Sequence, residues 1–165
     1  MSDARPDSYH LSPERVLELQ HAAILAHGGT PGILKPGCVE GSVAAAESAE
    51  FYSKQDVAKT GMQDGLCYAS HLFMYLVKNH CFQDGNKRIA WLALVDSLRM
   101  FHLTIDESNE VAAAWVDSMA AQHPTVEEVA NWLAPRLVVY TPFAAGRTLQ
   151  PPRQGSAATA TPAGG

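Results

Sequence analysis

His80, Asp84, Asn86, Lys87 and Arg88 are gathered in nine consecutive residues, His80-Cys81-Phe82-Gln83-Asp84-Gly85-Asn86-Lys87-Arg88. A base, a carboxylate, an amide and two cations in that order suit a phosphate site at the start of a helix. Helix starts offer unpaired backbone N–H groups and the positive end of the macrodipole. Asp84 can offer hard oxygen ligands to Mg²⁺, and Lys87 and Arg88 can neutralise phosphate oxygens. Gly85 lets backbone approach a phosphate closely. Asn86 can orient phosphate oxygens or cap the helix. His80 is the side chain whose ordinary titration range allows it to take a proton near neutral pH. These are the parts of a phosphate-transfer centre. The bland alternatives are a histidine packed at a helix end, an aspartate acting as a cap, and a solvated cationic corner.

The flanking sequence predicts the elements that hold this stretch. Leu66, Ala69, Phe73, Leu76 and Val77 recur at helical spacing and end near Asn79, so His80 falls just past a helix C-terminus. A second helix is expected from about Asn86 to Phe101. Its run Ile89-Ala90-Trp91-Leu92-Ala93-Leu94-Val95 is apolar on every face and predicts a central, buried element. Upstream, Ser12-Pro13-Glu14 reads as a helix start and Gly28-Gly29 as its end. A loop rich in Gly and Pro over 29–37 precedes a helix from about Cys38 to Glu50. Residues 51–65 show no clean period and are expected to be irregular. Downstream, one short helix carries Val111, Ala114, Trp115 and Met119. Another opens with the capping-box pattern Thr125-Val126-Glu127-Glu128 and is closed by Pro135. No segment alternates well enough to be a core strand, so the fold class expected is all-α.

Composition bounds the rest. The chain has 165 residues, 47% of them hydrophobic, which fits one domain over 1–140 and a tail. Residues 141–165 hold four Pro, four Gly and no acid, and are expected to be a disordered tail. A net charge of −5 argues against direct nucleic-acid binding through a basic surface. The polar stretch Met1 to Pro13 lacks a signal-type apolar core, and no run reaches membrane-spanning length. Three cysteines, Cys38, Cys67 and Cys81, without CxxC spacing predict no disulfide scaffold and a cytoplasmic, reducing setting. Cys67 and His71, four apart, are a weak zinc pattern; a histidine satisfied within its helix is the better reading.

The nine residues resemble the signature of the Fic/Doc superfamily, His-x-Phe-x-(Asp/Glu)-(Gly/Ala)-Asn-x-Arg. They look most like the death-on-curing (Doc) branch, whose version ends Asn-Lys-Arg. Leu76-Val77-Lys78-Asn79, Gly28-Gly29-Thr30-Pro31-Gly32-Ile33 and Gly37-Cys38-Val39-Glu40-Gly41-Ser42 also look like that branch, so the likeness spans roughly residues 10–135. It implies a compact Fic-fold bundle of about six helices. It also implies His80 as catalytic base, Asp84 as the Mg²⁺ carboxylate, and Gly85, Asn86, Lys87 and Arg88 on nucleotide phosphates. Phe82 would be the buried anchor of the motif, and 51–65 the flap that docks the target chain by strand addition. Phe51 and Tyr52 are equally readable as core aromatics.

Two departures set the implied chemistry. The Fic branch, typically AMP transferases, has Gly at the position of Lys87 and a second Arg at the position of Trp91. Doc-type proteins with the equivalent changes present the γ-phosphate to the acceptor. The resemblance therefore implies an ATP- and Mg²⁺-dependent kinase-like toxin, its family target a threonine of elongation factor Tu, silenced by a cognate antitoxin and blocking translation. A mild third departure is Cys81, where Pro is frequent. An AMP transferase of the same fold and a non-catalytic binding module are the rival readings.

Overall fold

A computed structural model describes residues 10–53 and 64–141. The expected flap core and tail, and the first nine residues, lie outside the described residues. Six α-helices make up the described fold: α1 Pro13–His27, α2 Cys38–Ser53, α3 Asp64–Asn79, α4 Asn86–Arg99, α5 Asn109–Ala121 and α6 Val126–Leu133. The fold is all-α, as the helical periods predict.

Local chemistry sets the boundaries. Ser12 Oγ accepts from Arg15 N, with Pro13 in the first turn, and Gly28 leaves α1 at φ 83°. Ser108 caps α5 in the same way. The predicted capping box opens α6: Thr125 and Glu128 each accept the other's backbone N–H. Helix α2 extends three residues past the expected Glu50 and so carries Phe51 and Tyr52. Both rings are about two-thirds exposed, at 63% and 67%, which corrects their reading as core aromatics. The start of α3 lies two residues before Leu66, inside the stretch expected to be irregular.

The core is centred on α3, which packs against α2, α4, α5 and α6. Tyr68, Ala69, Leu72 and Phe73 on it are wholly buried. Burying Leu72 or Phe73 contributes about 1.5–3 kcal/mol each. Helix α4 is less enclosed than its apolar run predicts. Ala90, Ala93, Leu94 and Leu98 are buried, whereas Trp91, Leu92 and Val95 are only partly covered. Phe73, Trp115 and Trp132 stack with ring centroids 5.0 and 4.2 Å apart, and the Arg136 guanidinium lies over Trp132. That ladder fastens α5 and α6 to α3.

The all-helical expectation missed one feature. Strands β1 Leu103–Ile105 and β2 Leu137–Val139 pair antiparallel, with Thr104 opposite Val138. Three residues are too few to show a period of two, so only the tertiary pairing reveals them. A 3₁₀ turn over Ala134–Arg136 contains Pro135 and joins α6 to β2.

Candidate functional site

The motif occupies the junction between α3 and α4. Helix α3 ends at Asn79, and His80 turns the chain outward with φ 50°. A left-handed histidine costs about 1–2 kcal/mol, so the surrounding structure has to hold it. Its imidazole is exposed and makes no hydrogen bond among the described residues. Cys81 and Phe82 then dive into the core.

The loop over 29–37 provides much of the hold. Leu34 N donates to Cys81 O at 2.8 Å, and Gln83 N donates to Gly32 O at 3.1 Å. These bonds flank an antiparallel bridge between Ile33 and Phe82. In that geometry the N–H and C=O of Phe82 itself point away from Ile33. Asn86 takes both: its Oδ1 accepts from Phe82 N, and its Nδ2 donates to Phe82 O, each at 2.9 Å. The amide expected to orient phosphate or cap the helix instead clamps the motif loop.

Asp84 is exposed and stands in the loop. Its Oδ1 accepts from Gly85 N at 2.8 Å and its Oδ2 from Thr30 N at 3.3 Å. Each carboxylate oxygen keeps a further lone pair. Gly29 is shaped to this carboxylate: at φ 114°, a Cβ there would lie 2.8 Å from Asp84 Oδ2. Among the described residues no group of three or more His, Cys, Asp or Glu forms a metal site. A single carboxylate does fit Mg²⁺ when phosphates and water supply its other ligands, which is the usual arrangement for that ion.

Gly85 is the N-cap of α4 in a left-handed conformation, and no side chain caps this helix. The first-turn N–H groups therefore have no capping side chain, at the positive helix end. Lys87 and Arg88 follow. The structure does not leave Lys87 free: its Nζ is 2.9 Å from Asp117 Oδ1 on α5. Arg88 has no ion pair among the described residues. Both line an open apolar groove of about 800 Å³ between α1, α4 and α5, with Leu19, Ala22, Trp91 and Val116. Trp91, the residue that replaces an arginine of the Fic branch, is part of that groove.

The cysteine pairing also reverses the expectation. Cys38, the first residue of α2, is joined to Cys81 by a disulfide, and Cys67 is buried and outside any disulfide. The odd count concealed a pair, because the third cysteine is simply a core residue. His71 keeps to its own helix, its Nδ1 2.9 Å from Cys67 O.

Sequence reasoning also missed Thr30, Ser42, Asn79 and Asp117 around the motif. Thr30 lay in the expected Gly- and Pro-rich loop and Ser42 in the expected helix from Cys38, and neither was singled out as a partner of the motif. Nothing local to Asp117 marks it.

Comparison with known proteins follows the same stretch. The family model of the Fic/DOC family matches residues 10–98. A protein named "Protein kinase doc" from Escherichia phage P1 is 27% identical over 124 residues, covering 75% of this chain and 92% of its own length.

Proposed function

The chain belongs to the Fic/DOC family, and from that premise we propose that it is a Doc-type toxin transferring the γ-phosphate of ATP to a protein hydroxyl. The observation that carries the reading is the clamped motif loop: it sets an exposed, unbonded His80 and the Asp84 carboxylate beside an uncapped helix start. The name of the phage P1 relative supports phosphate as the transferred group. So does Trp91, which cannot supply the charge of the Fic-branch arginine.

In this reading His80 accepts the proton of the attacking hydroxyl, and its exposure lets a macromolecular acceptor reach it. Backbone N–H groups of the first turn of α4 and the Arg88 guanidinium bind phosphate oxygens. Asp84 holds Mg²⁺, which when bound neutralises phosphate charge. Gly85 and Asn86 act by shaping the loop. Lys87 exchanges Asp117 for a phosphate or stays with Asp117 and sets the rim of the site.

A threonine of elongation factor Tu as acceptor, a block of translation, a cognate antitoxin and a cytoplasmic setting complete the proposal. The open apolar groove beside Lys87 and Arg88 supports a covering partner chain. No helix among the described residues is long and apolar enough to cross a membrane.

Mass spectrometry of elongation factor Tu after incubation with the protein and Mg·ATP tests the reading. A phosphate adduct on threonine is expected, absent with His80→Ala at unchanged helical circular dichroism. An AMP adduct would assign the chain to nucleotidyl transfer. Toxicity unchanged in His80→Ala would make it a binding module.

A further inference from the structure

The motif loop carries a second chemistry that phosphate transfer does not use. Cys81 directly follows His80, and its sulfur is bonded to that of Cys38, 43 positions earlier in the chain. The Cys81 sulfur has a neighbour that stabilises negative charge. On the Cys81 side, the buried Ser42 Oγ lies 3.7 Å from the sulfur. A disulfide sulfur carries no proton, so the hydroxyl is the donor. The same oxygen accepts from Asn79 Nδ2 at 2.9 Å, which leaves the hydroxyl proton for sulfur.

On the other side, the half-buried Cys38 opens a helix of 16 residues, with the positive helix end at its sulfur. Its sulfur is 3.9 Å from Asn79 O, the oxygen to which Lys35 Nζ donates at 2.7 Å. The Lys35 ammonium thus offsets the partial negative charge of the carbonyl beside the Cys38 sulfur. A cystine serving only as a staple needs neither the hydroxyl nor the cation. Negative charge on sulfur is what develops when a thiol attacks a disulfide.

We propose that Cys38–Cys81 is a reversible thiol–disulfide site for low-molecular-weight thiols, and that its state sets how firmly the His80 loop is held. An external thiolate attacks the half-buried Cys38 sulfur. A new sulfur–sulfur bond forms there as the Cys38–Cys81 bond breaks, and the electron pair leaves on Cys81, beside Ser42, where it takes up a proton. A second thiol attacks the external sulfur of the mixed disulfide. One small-molecule disulfide departs, and both cysteines remain as thiols. The low-molecular-weight disulfide drives the reverse.

Reduction keeps the backbone bonds from Leu34 and to Gly32 and the Asn86 clamp, but removes the covalent tie between the loop and α2. The left-handed His80 is then held without the covalent tie next to it. The effect on transfer rests on the reading of His80 as catalytic base; the effect on the loop does not.

The test uses the full chain in glutathione buffers spanning reduced to oxidised ratios, with native alkylation and mass spectrometry. Cys38 and Cys81 are expected to gain and lose label together, while buried Cys67 stays unlabelled. Amide exchange over 80–83 should be about ten-fold faster in the reduced protein and equally fast in Cys38→Ser. Reduction by dithiothreitol should be about five-fold slower in Ser42→Ala, the rate effect of one hydrogen bond to the leaving sulfur. Transfer should slow on reduction in the wild type, and Cys38→Ser should show the slow rate in both buffers. Independent labelling of the two cysteines, loop exchange equal in both states, or wild-type reduction kinetics in Ser42→Ala would each overturn the proposal. Absence of transfer in every state would instead overturn the function proposed for His80, with labelling and amide exchange still deciding the switch.

Discussion

Replacing Asn86 separates two roles that its position at a helix start allows, clamp and phosphate ligand. In the structure both ends of its amide are spent on Phe82, at 2.9 Å each. The Phe82 side chain is buried, and its backbone groups face away from the Ile33 bridge. Asn86→Ala therefore removes two hydrogen bonds, each contributing about 1 kcal/mol net, and leaves one donor and one acceptor partly buried without a partner. The expected loss is about 2–3 kcal/mol, or a melting temperature lower by about 5–10 °C for a chain of this size. Asn86→Asp is the sharper probe. Its carboxylate still accepts from Phe82 N but sets an oxygen against Phe82 O, so it should be no more stable than the alanine variant. Thermal and urea unfolding read the stability, and titration with Mg·ATP reads the affinity. Melting within 1 °C of wild type, combined with lost nucleotide affinity, would refute the clamp and return Asn86 to the phosphates.

Four further expectations can be checked with the same preparations. Phe82→Ala should cost about 3–5 kcal/mol in urea unfolding, because it empties a buried aromatic site under the motif. Gly29→Ala places a Cβ 2.8 Å from Asp84 Oδ2 at φ 114°, so it should displace that carboxylate and weaken Mg²⁺-dependent nucleotide binding in calorimetry. Asp117→Ala should change stability by less than about 0.5 kcal/mol, since both partners of the Lys87 pair are exposed; a changed Mg·ATP affinity would show that Asp117 tunes Lys87. Tyr68 is held protonated above its usual range, first by burial and then by Glu47. The unfolded chain ionises it first, so stability should fall as pH rises above about 10, and Tyr68→Phe should flatten that slope in alkaline melts.

What could be read in advance follows the length of the signal. Helices α1 and α6 were legible because capping residues and apolar spacing agree within each segment, and α3 from its apolar spacing alone. The junction of α3 and α4 was legible because the motif lies within nine consecutive residues. Phe51 and Tyr52 were not, since aromatic side chains look alike at a core position and on an exposed helix end. Strands β1 and β2 were not, because each is three residues long and exists only through the other. The enclosure of α4 was overestimated: an all-apolar run predicts burial, but Trp91 and Leu92 border a groove that α1 and α5 leave open.

The division runs along covalent neighbourhood. Residue order alone determined which groups are available at the helix junction: a base at 80, a carboxylate at 84, cations at 87 and 88. It also determined the helical periods that place them there, because capping and i, i+4 spacing are local. Tertiary structure decided what those groups are attached to. Asn86 spans one loop to hold Phe82, Gly29 comes up against Asp84 from 55 positions away in the chain, Asp117 reaches Lys87 from another helix, and Cys38 meets Cys81 across α2 and α3. Apart from the Asn86 clamp, these partners lie many residues apart. Their encounter depends on how helices pack, and no local spacing encodes that.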